Sequence, residues 1–205
     1  MSNVIDPRHK NKKFNTSSIG NYLSDYAAAL RDTLNGVDPL QMAAACEAIL
    51  KATEMSGHIY VAGNGGSAAI ADHLCCDLTK GTATLKHKTI ATHSLSSNVA
   101  LYSAIANDFG FEKVFSTQVG FFGKEGDVLI AISSSGNSQN IVNAAEQAKA
   151  LGLIVIGLTG FEGGKLRQIS DIPLHADVQN YGVVEDCHQA LMHILAQYIA
   201  SGRDG

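Results

Sequence analysis

Five short apolar segments punctuate the second part of the chain: "HIYVAG", "KTIATHS", "DVLIAIS", "LIVIGLTG" and "DIPLHA". Three of them are continuous Val/Ile/Leu runs, too short for buried helices and without the alternation of a half-exposed strand. They read as parallel strands buried on both faces. Between them lie stretches of helical character, at 67–79, 98–106, 112–122, 138–151, 164–170 and 183–201. A strict alternation of strand and helix predicts an α/β fold with a doubly wound parallel sheet. Ahead of it, Ile19, Leu23, Tyr26, Ala27 and Leu30 recur at helical spacing within 17–35, as do Met42, Cys46, Ile49 and Leu50 within 39–55. Pro39 near the start and Gly57 after the end mark the limits of the second helix.

The 205 residues are enough for one domain of this kind, and 45% hydrophobic with 17% charged residues supply a sizeable core. We expect a basic arm over 1–14 and a single domain over 15–205. A net charge of −4 gives no electrostatic reason for nucleic-acid binding. No apolar run approaches the roughly 20 residues that cross a bilayer. "MSNVIDPRHKNKKFN" has basic residues without the apolar stretch of a secretory signal. Cys46, Cys75, Cys76 and Cys187 show no paired spacing, and we expect reduced thiols in a cytoplasmic protein.

Chemistry concentrates where strands give way to helices. After "HIYVAG" comes Asn64-Gly65-Gly66-Ser67, and after "DVLIAI" comes "SSSGNS", Ser133 to Ser138. Glycines admit a ligand to the backbone, hydroxyls donate hydrogen bonds, and a helix N-terminus adds positive potential. Neither turn carries the lysine of a P-loop or fits G-x-G-x-x-G, so no nucleotide cofactor is expected. Two hydroxyl-rich turns at equivalent places in one sheet suit a small phosphate monoester.

His73 and Asp77, four residues apart, share a face of the helix that follows Ser67. In "VEDCHQALMH", Glu185 and His193 share a face eight residues apart, whereas His188 points about 140° away from His193. Two imidazoles and two carboxylates from two helices make a divalent-metal set suited to zinc.

"GNGGSAAIADH", "AIANDFGFEKVF", "GDVLIAISSSGNSQNIVNA", "VIGLTGFEGGKL" and "VEDCHQALMHIL" together resemble the sugar isomerase (SIS) domain, and within it the bacterial phosphoheptose isomerases. The likeness spans about residues 17–201 and keeps the order of the motifs. It implies a five-stranded flavodoxin-like parallel sheet behind two N-terminal helices, and a homotetramer with active sites between subunits. It implies conversion of sedoheptulose 7-phosphate to D-glycero-D-manno-heptose 7-phosphate, the first step toward heptose in surface polysaccharides.

Carried across residue by residue, the resemblance gives the phosphate to Ser67, Ser133, Ser134, Ser135 and Ser138, with Asn64, Gly65 and Gly66 lining the same turn. It gives zinc to His73, Asp77, Glu185 and His193, and proton transfer to His193 and Asp77. There are departures: Asp77 stands where the family has a glutamate, Glu185 where it has a glutamine, and Asn98 and Gly182 where it has aspartates near the substrate. The competing expectations are isomerisation of another sugar phosphate, or a sugar-phosphate-sensing SIS protein such as those associated with the replication initiator. Retention of both His73 and His193 favours catalysis.

Overall fold

The computed structural model describes residues 13–203. Five parallel strands, β1 (Ile59–Gly63), β2 (Thr92–Ser94), β3 (Val128–Ser133), β4 (Ile154–Gly160) and β5 (Ile172–Ala176), form one sheet in the order β2-β1-β3-β4-β5. That is the flavodoxin-like order, with a reversal of winding between β1 and β3. Alternate residues of β1 serve opposite faces of the sheet. Ile59 and Val61 join α2 (Pro39–Glu54), α3 (Gly66–Cys76) and α8 (Tyr181–Arg203), while Tyr60 and Ala62 join α4 (Val99–Phe109), α5 (Ser116–Phe122), α6 (Gln139–Ala150) and α7 (Gly164–Ile169). Every residue of β1 and β3 is buried, which is why their sequences are continuous rather than alternating.

Local signals set the ends of the first two helices. Ser18 caps α1 (Ile19–Asn35) by accepting from Asn21 N, and Asp38 caps α2 by accepting from Leu40 N ahead of Pro39. Three expectations need correction. The strand expected in "KTIATHS" is paired only over Thr92–Ser94, because β2 is an edge strand with one neighbour. The helix expected to run to 79 leaves α geometry at Cys76 and widens into a π turn over Asp77–Gly81. Of the arm expected over 1–14, residues 1–12 lie outside the described residues. Phe14 is buried against Tyr22, Tyr26 and Val183 and so belongs to the domain. Among the described residues, no helix is long and apolar enough to cross a membrane.

His188, set apart from the other helix-borne ligands by the helical wheel, is fully buried under β4. Its Nε2 lies 3.1 Å from the Thr159 carbonyl oxygen and donates to it, leaving Nδ1 without a hydrogen bond. Burial pushes its pKa down to about 4, with His175 adding to the fall and the Thr159 bond opposing it. In the unfolded chain the ring titrates near 6.5. Between those two values the unfolded state binds a proton that the folded state refuses, so stability rises with pH across the window. Urea denaturation at pH 7 and pH 5 should show that His188→Gln escapes roughly 2 kcal/mol of the wild-type loss. Equal losses in both proteins would mean that His188 is charged in the fold.

Candidate active site

The two hydroxyl-bearing turns lie side by side because β1 and β3 are adjacent and in register, Gly63 pairing with Ile132. A reciprocal amide pair ties them together: Asn64 Nδ2 donates to Asn140 Oδ1, and Asn140 Nδ2 to Asn64 Oδ1, both at 2.9 Å. Between them is a cavity of about 150 Å³ lined by Asn64, Ser67, Ile132, Ser133, Ser134, Ser135, Ser138, Tyr181 and Glu185. Its volume is well below the roughly 300 Å³ of a drug-sized pocket and suits a single small group. Ser133 Oγ donates to Ser138 Oγ at 3.2 Å, and Ser135 Oγ accepts from Asn137 N at 3.2 Å. Gly63 is required here, since a Cβ would run into the Ser67 carbonyl. Gly65 takes φ +54°, a left-handed conformation that starts α3 without strain.

Glu185, from the first turns of α8, closes this cavity. Its Oε2 lies 2.7 Å from where a Cβ on Gly66 would be, so Gly66 leaves room for the carboxylate. Burial, with the neighbouring charge of Asp186, pushes the Glu185 pKa up. Among the described residues no lysine or arginine lines the cavity, which presents hydroxyls, amides and a helix N-terminus.

The second cluster lies further along the same two helices. His73 and Asp77 from the α3 segment meet His193 of α8, with one ligand atom from each within 4.8 Å of the others. Asp77 Oδ2 is 3.0 Å from His193 Nδ1, and its Oδ1 is 3.6 Å from His73 Nε2. The rings are edge-on, with centroids 4.9 Å apart. On the side away from Asp77, Gln189 Nε2 is 3.1 Å from His73 Nδ1 and 3.0 Å from His193 Nε2. Ligand atoms 2.0–2.2 Å from a tetrahedral zinc sit about 3.4 Å from one another. Two imidazoles and a carboxylate with one ligand atom each within 4.8 Å of the others could close on such a cation.

The sequence-derived set therefore divides in two. Ser67, Ser133, Ser134, Ser135, Ser138 and Asn64 line the cavity, with Gly65 and Gly66 forming its turn; His73, Asp77 and His193 form a cluster that could hold a cation. Glu185, expected in both, lies with the cavity and outside the three-residue cluster, because it sits two helical turns before His193 on α8. Asn98 is elsewhere: its side chain accepts from Leu101 N to cap α4, and it lines a separate groove with Tyr60 and His93. At Gly182 a Cβ would lie 3.0 Å from the Tyr26 hydroxyl, which donates to Asp186 Oδ2 at 2.6 Å. Asn140, Tyr181 and Gln189 were not expected. Gln189 carried a signal, for it is four residues from both Glu185 and His193 and hence on their face.

Two family models, each described as SIS domain, match residues 22–160 and 122–200. The chain belongs to the SIS domain family. Within it, the chain is 40% identical over 151 residues to the phosphoheptose isomerase of Helicobacter pylori (strain P12), covering 74% of this chain and 78% of that one. The solved phosphoheptose isomerase GmhA from Neisseria gonorrhoeae superposes with a TM-score of 0.82 at 31% identity, over 89% of this chain and 97% of the other. The phosphoheptose isomerase from Francisella tularensis gives the same TM-score at 32% identity, over 89% and 96%.

Proposed function

We infer that this protein is a phosphoheptose isomerase, interconverting sedoheptulose 7-phosphate and D-glycero-D-manno-heptose 7-phosphate. The observation that carries the reading is the shared course of α3 and α8. Both helices begin at the hydroxyl-lined cavity and both lead to the His/Asp cluster. At 1.5 Å per residue, His73 lies about 9 Å along its helix from Ser67, and His193 about 12 Å along its own from Glu185. That separation suits an extended sugar whose phosphate is at one end and whose carbonyl is at the other.

Aldose–ketose isomerisation moves one proton between adjacent carbons through an enediol, and a second between their oxygens. The Asp77–His193 couple is the group that holds and moves the proton, since the carboxylate orients the ring and stabilises its charged form. Ser67 and the serines of the second turn hold the phosphate, which fixes the distance from that end to the reacting carbons. A divalent cation, zinc by the chemistry of its donors, would be held by His73, Asp77 and His193 and would supply a Lewis acid at the carbonyl end.

Turnover of sedoheptulose 7-phosphate by the full chain, with elemental analysis of untagged protein, tests this reading. The expected result is aldose formation, about one equivalent of metal, and loss of activity with chelator. Activity untouched by chelator in metal-free protein would leave catalysis to the couple alone. Absence of turnover in metal-replete protein would overturn the assignment. Cys46, Cys75, Cys76 and Cys187 are free thiols, in keeping with a cytoplasmic reaction. Exposed Ile19 and Leu23 on α1, and Ile194 and Tyr198 on α8, support assembly through these helices. Light scattering should give a homotetramer, four times the 21.6 kDa chain or about 86 kDa. A monomer at micromolar concentration would refute it.

A further inference from the structure

Three hydrogen bonds and one longer ion-pair contact link four side chains around His73 and His193. Asp77 faces one nitrogen of each imidazole, and Gln189 faces the other nitrogen of each. An ionised carboxylate only accepts, so His193 Nδ1 carries the proton toward Asp77 and Nε2 is left with a lone pair. The Gln189 amide nitrogen has two protons and two imidazole nitrogens within reach, at 3.0 and 3.1 Å. It donates to both, which puts the single ring proton of His73 on Nε2, facing Asp77 Oδ1 at 3.6 Å. Each imidazole nitrogen then faces a group of complementary character in the absence of a cation.

A cation held on the Asp77 side needs the reverse arrangement. The nitrogens facing Asp77 must then be bare, so each ring moves its proton to the nitrogen facing Gln189. Metal-bound imidazoles regularly give that outer proton to an acceptor, which fixes the tautomer. A glutamine is unusual in being able to serve both states: turning its amide by 180° replaces the NH₂ with the carbonyl oxygen. We propose that Gln189 is the positioning residue of the cation site, a two-faced amide that sets the tautomers of His73 and His193 together and exchanges donor for acceptor when the cation binds. This inference rests on the cation reading above and names a residue that neither the resemblance nor the helix-face argument included.

The test uses the full-length protein stripped of metal, titrated with Zn²⁺ against a chromophoric chelator and with Co²⁺ by its visible absorption. Gln189→Leu keeps the bulk but offers no acceptor, and should weaken Zn²⁺ binding about 10- to 100-fold, the usual cost of losing an outer-shell partner. Gln189→Glu offers only acceptors, and should bind Zn²⁺ at least as tightly as wild type. In metal-free wild-type protein, ¹⁵N spectra of the imidazoles should place the protons on His193 Nδ1 and His73 Nε2. Gln189 is half-buried on a helix surface, so both variants should melt close to wild type. Unchanged Zn²⁺ affinity in Gln189→Leu, equal weakening in Gln189→Glu, or the opposite tautomers in the metal-free protein would each overturn the proposal while leaving the cation site standing. Wild-type protein that binds neither ion would overturn the cation reading itself, and this inference with it.

Discussion

Replacing His193 with asparagine is expected to lower kcat for sedoheptulose 7-phosphate by roughly 10²- to 10⁴-fold, the usual worth of a positioned acid–base group. Asparagine can place its amide near the position of Nδ1, within reach of Asp77, but it has no atom at the position of Nε2 beside Gln189 and cannot take up a proton near neutral pH. KM should change little, because the cavity proposed for the phosphate lies at the far end of the two helices. Asp77→Asn should also impair turnover. An amide no longer stabilises the charged imidazole and offers a cation only a neutral ligand. If His193→Asn retained more than about a tenth of wild-type kcat with its metal content intact, the proton would have to be moved by another group. The two variants should also be far from additive, since they disable one couple whose atoms are 3.0 Å apart.

The second large effect is expected at the other end. Ser67→Ala with Ser135→Ala removes two hydroxyls from a cavity whose lining, among the described residues, has no lysine or arginine. Hydrogen bonds to a charged partner contribute about 1.5–3 kcal/mol each, so affinity for a sugar phosphate should fall at least about a hundredfold. The backbone of both turns is held by the Asn64–Asn140 pair and by Gly160 N donating to the Ser134 carbonyl at 2.8 Å, so the fold should survive. Calorimetric titration of the sugar phosphate measures the loss. Glu185→Gln provides the opposing arm: it exchanges a carboxylate at the cavity wall for a neutral amide, and should strengthen dianion binding severalfold. A double serine variant that binds as tightly as wild type would place the phosphate elsewhere.

The parallel α/β core could be read from one dimension because its physical cause is local. A strand buried on both faces is apolar almost throughout, as β1, β3 up to Ile132 and most of β4 are. The turns were legible for the same reason: glycine and serine at a strand-to-helix junction declare both backbone freedom and hydrogen-bonding capacity within a few residues. His73 with Asp77, and Glu185 with His193, could be placed on helix faces by spacing alone, and the family resemblance then supplied roles.

Periodicity, however, says which residues share a face and never which faces meet. Glu185 and His193 are on one face of α8, yet two helical turns place the first at the hydroxyl cavity and the second beside His73 and Asp77. Gln189 lies between them on that face, and nothing local distinguishes it from a solvated glutamine. Its role arises only because α3 is packed against α8 at a depth that brings two imidazoles to either side of one amide. Phe14 likewise sits at the end of a polar stretch, and its burial depends on Tyr22, Tyr26 and Val183, residues far apart in sequence. The sequence by itself determined the sheet, its turns and the two ligand-bearing helix faces, because those follow from interactions within a few residues. The separation of a hydroxyl-lined cavity from a His/Asp cluster, and the place of Gln189 beside the second, were decided by the tertiary packing of α3 on α8.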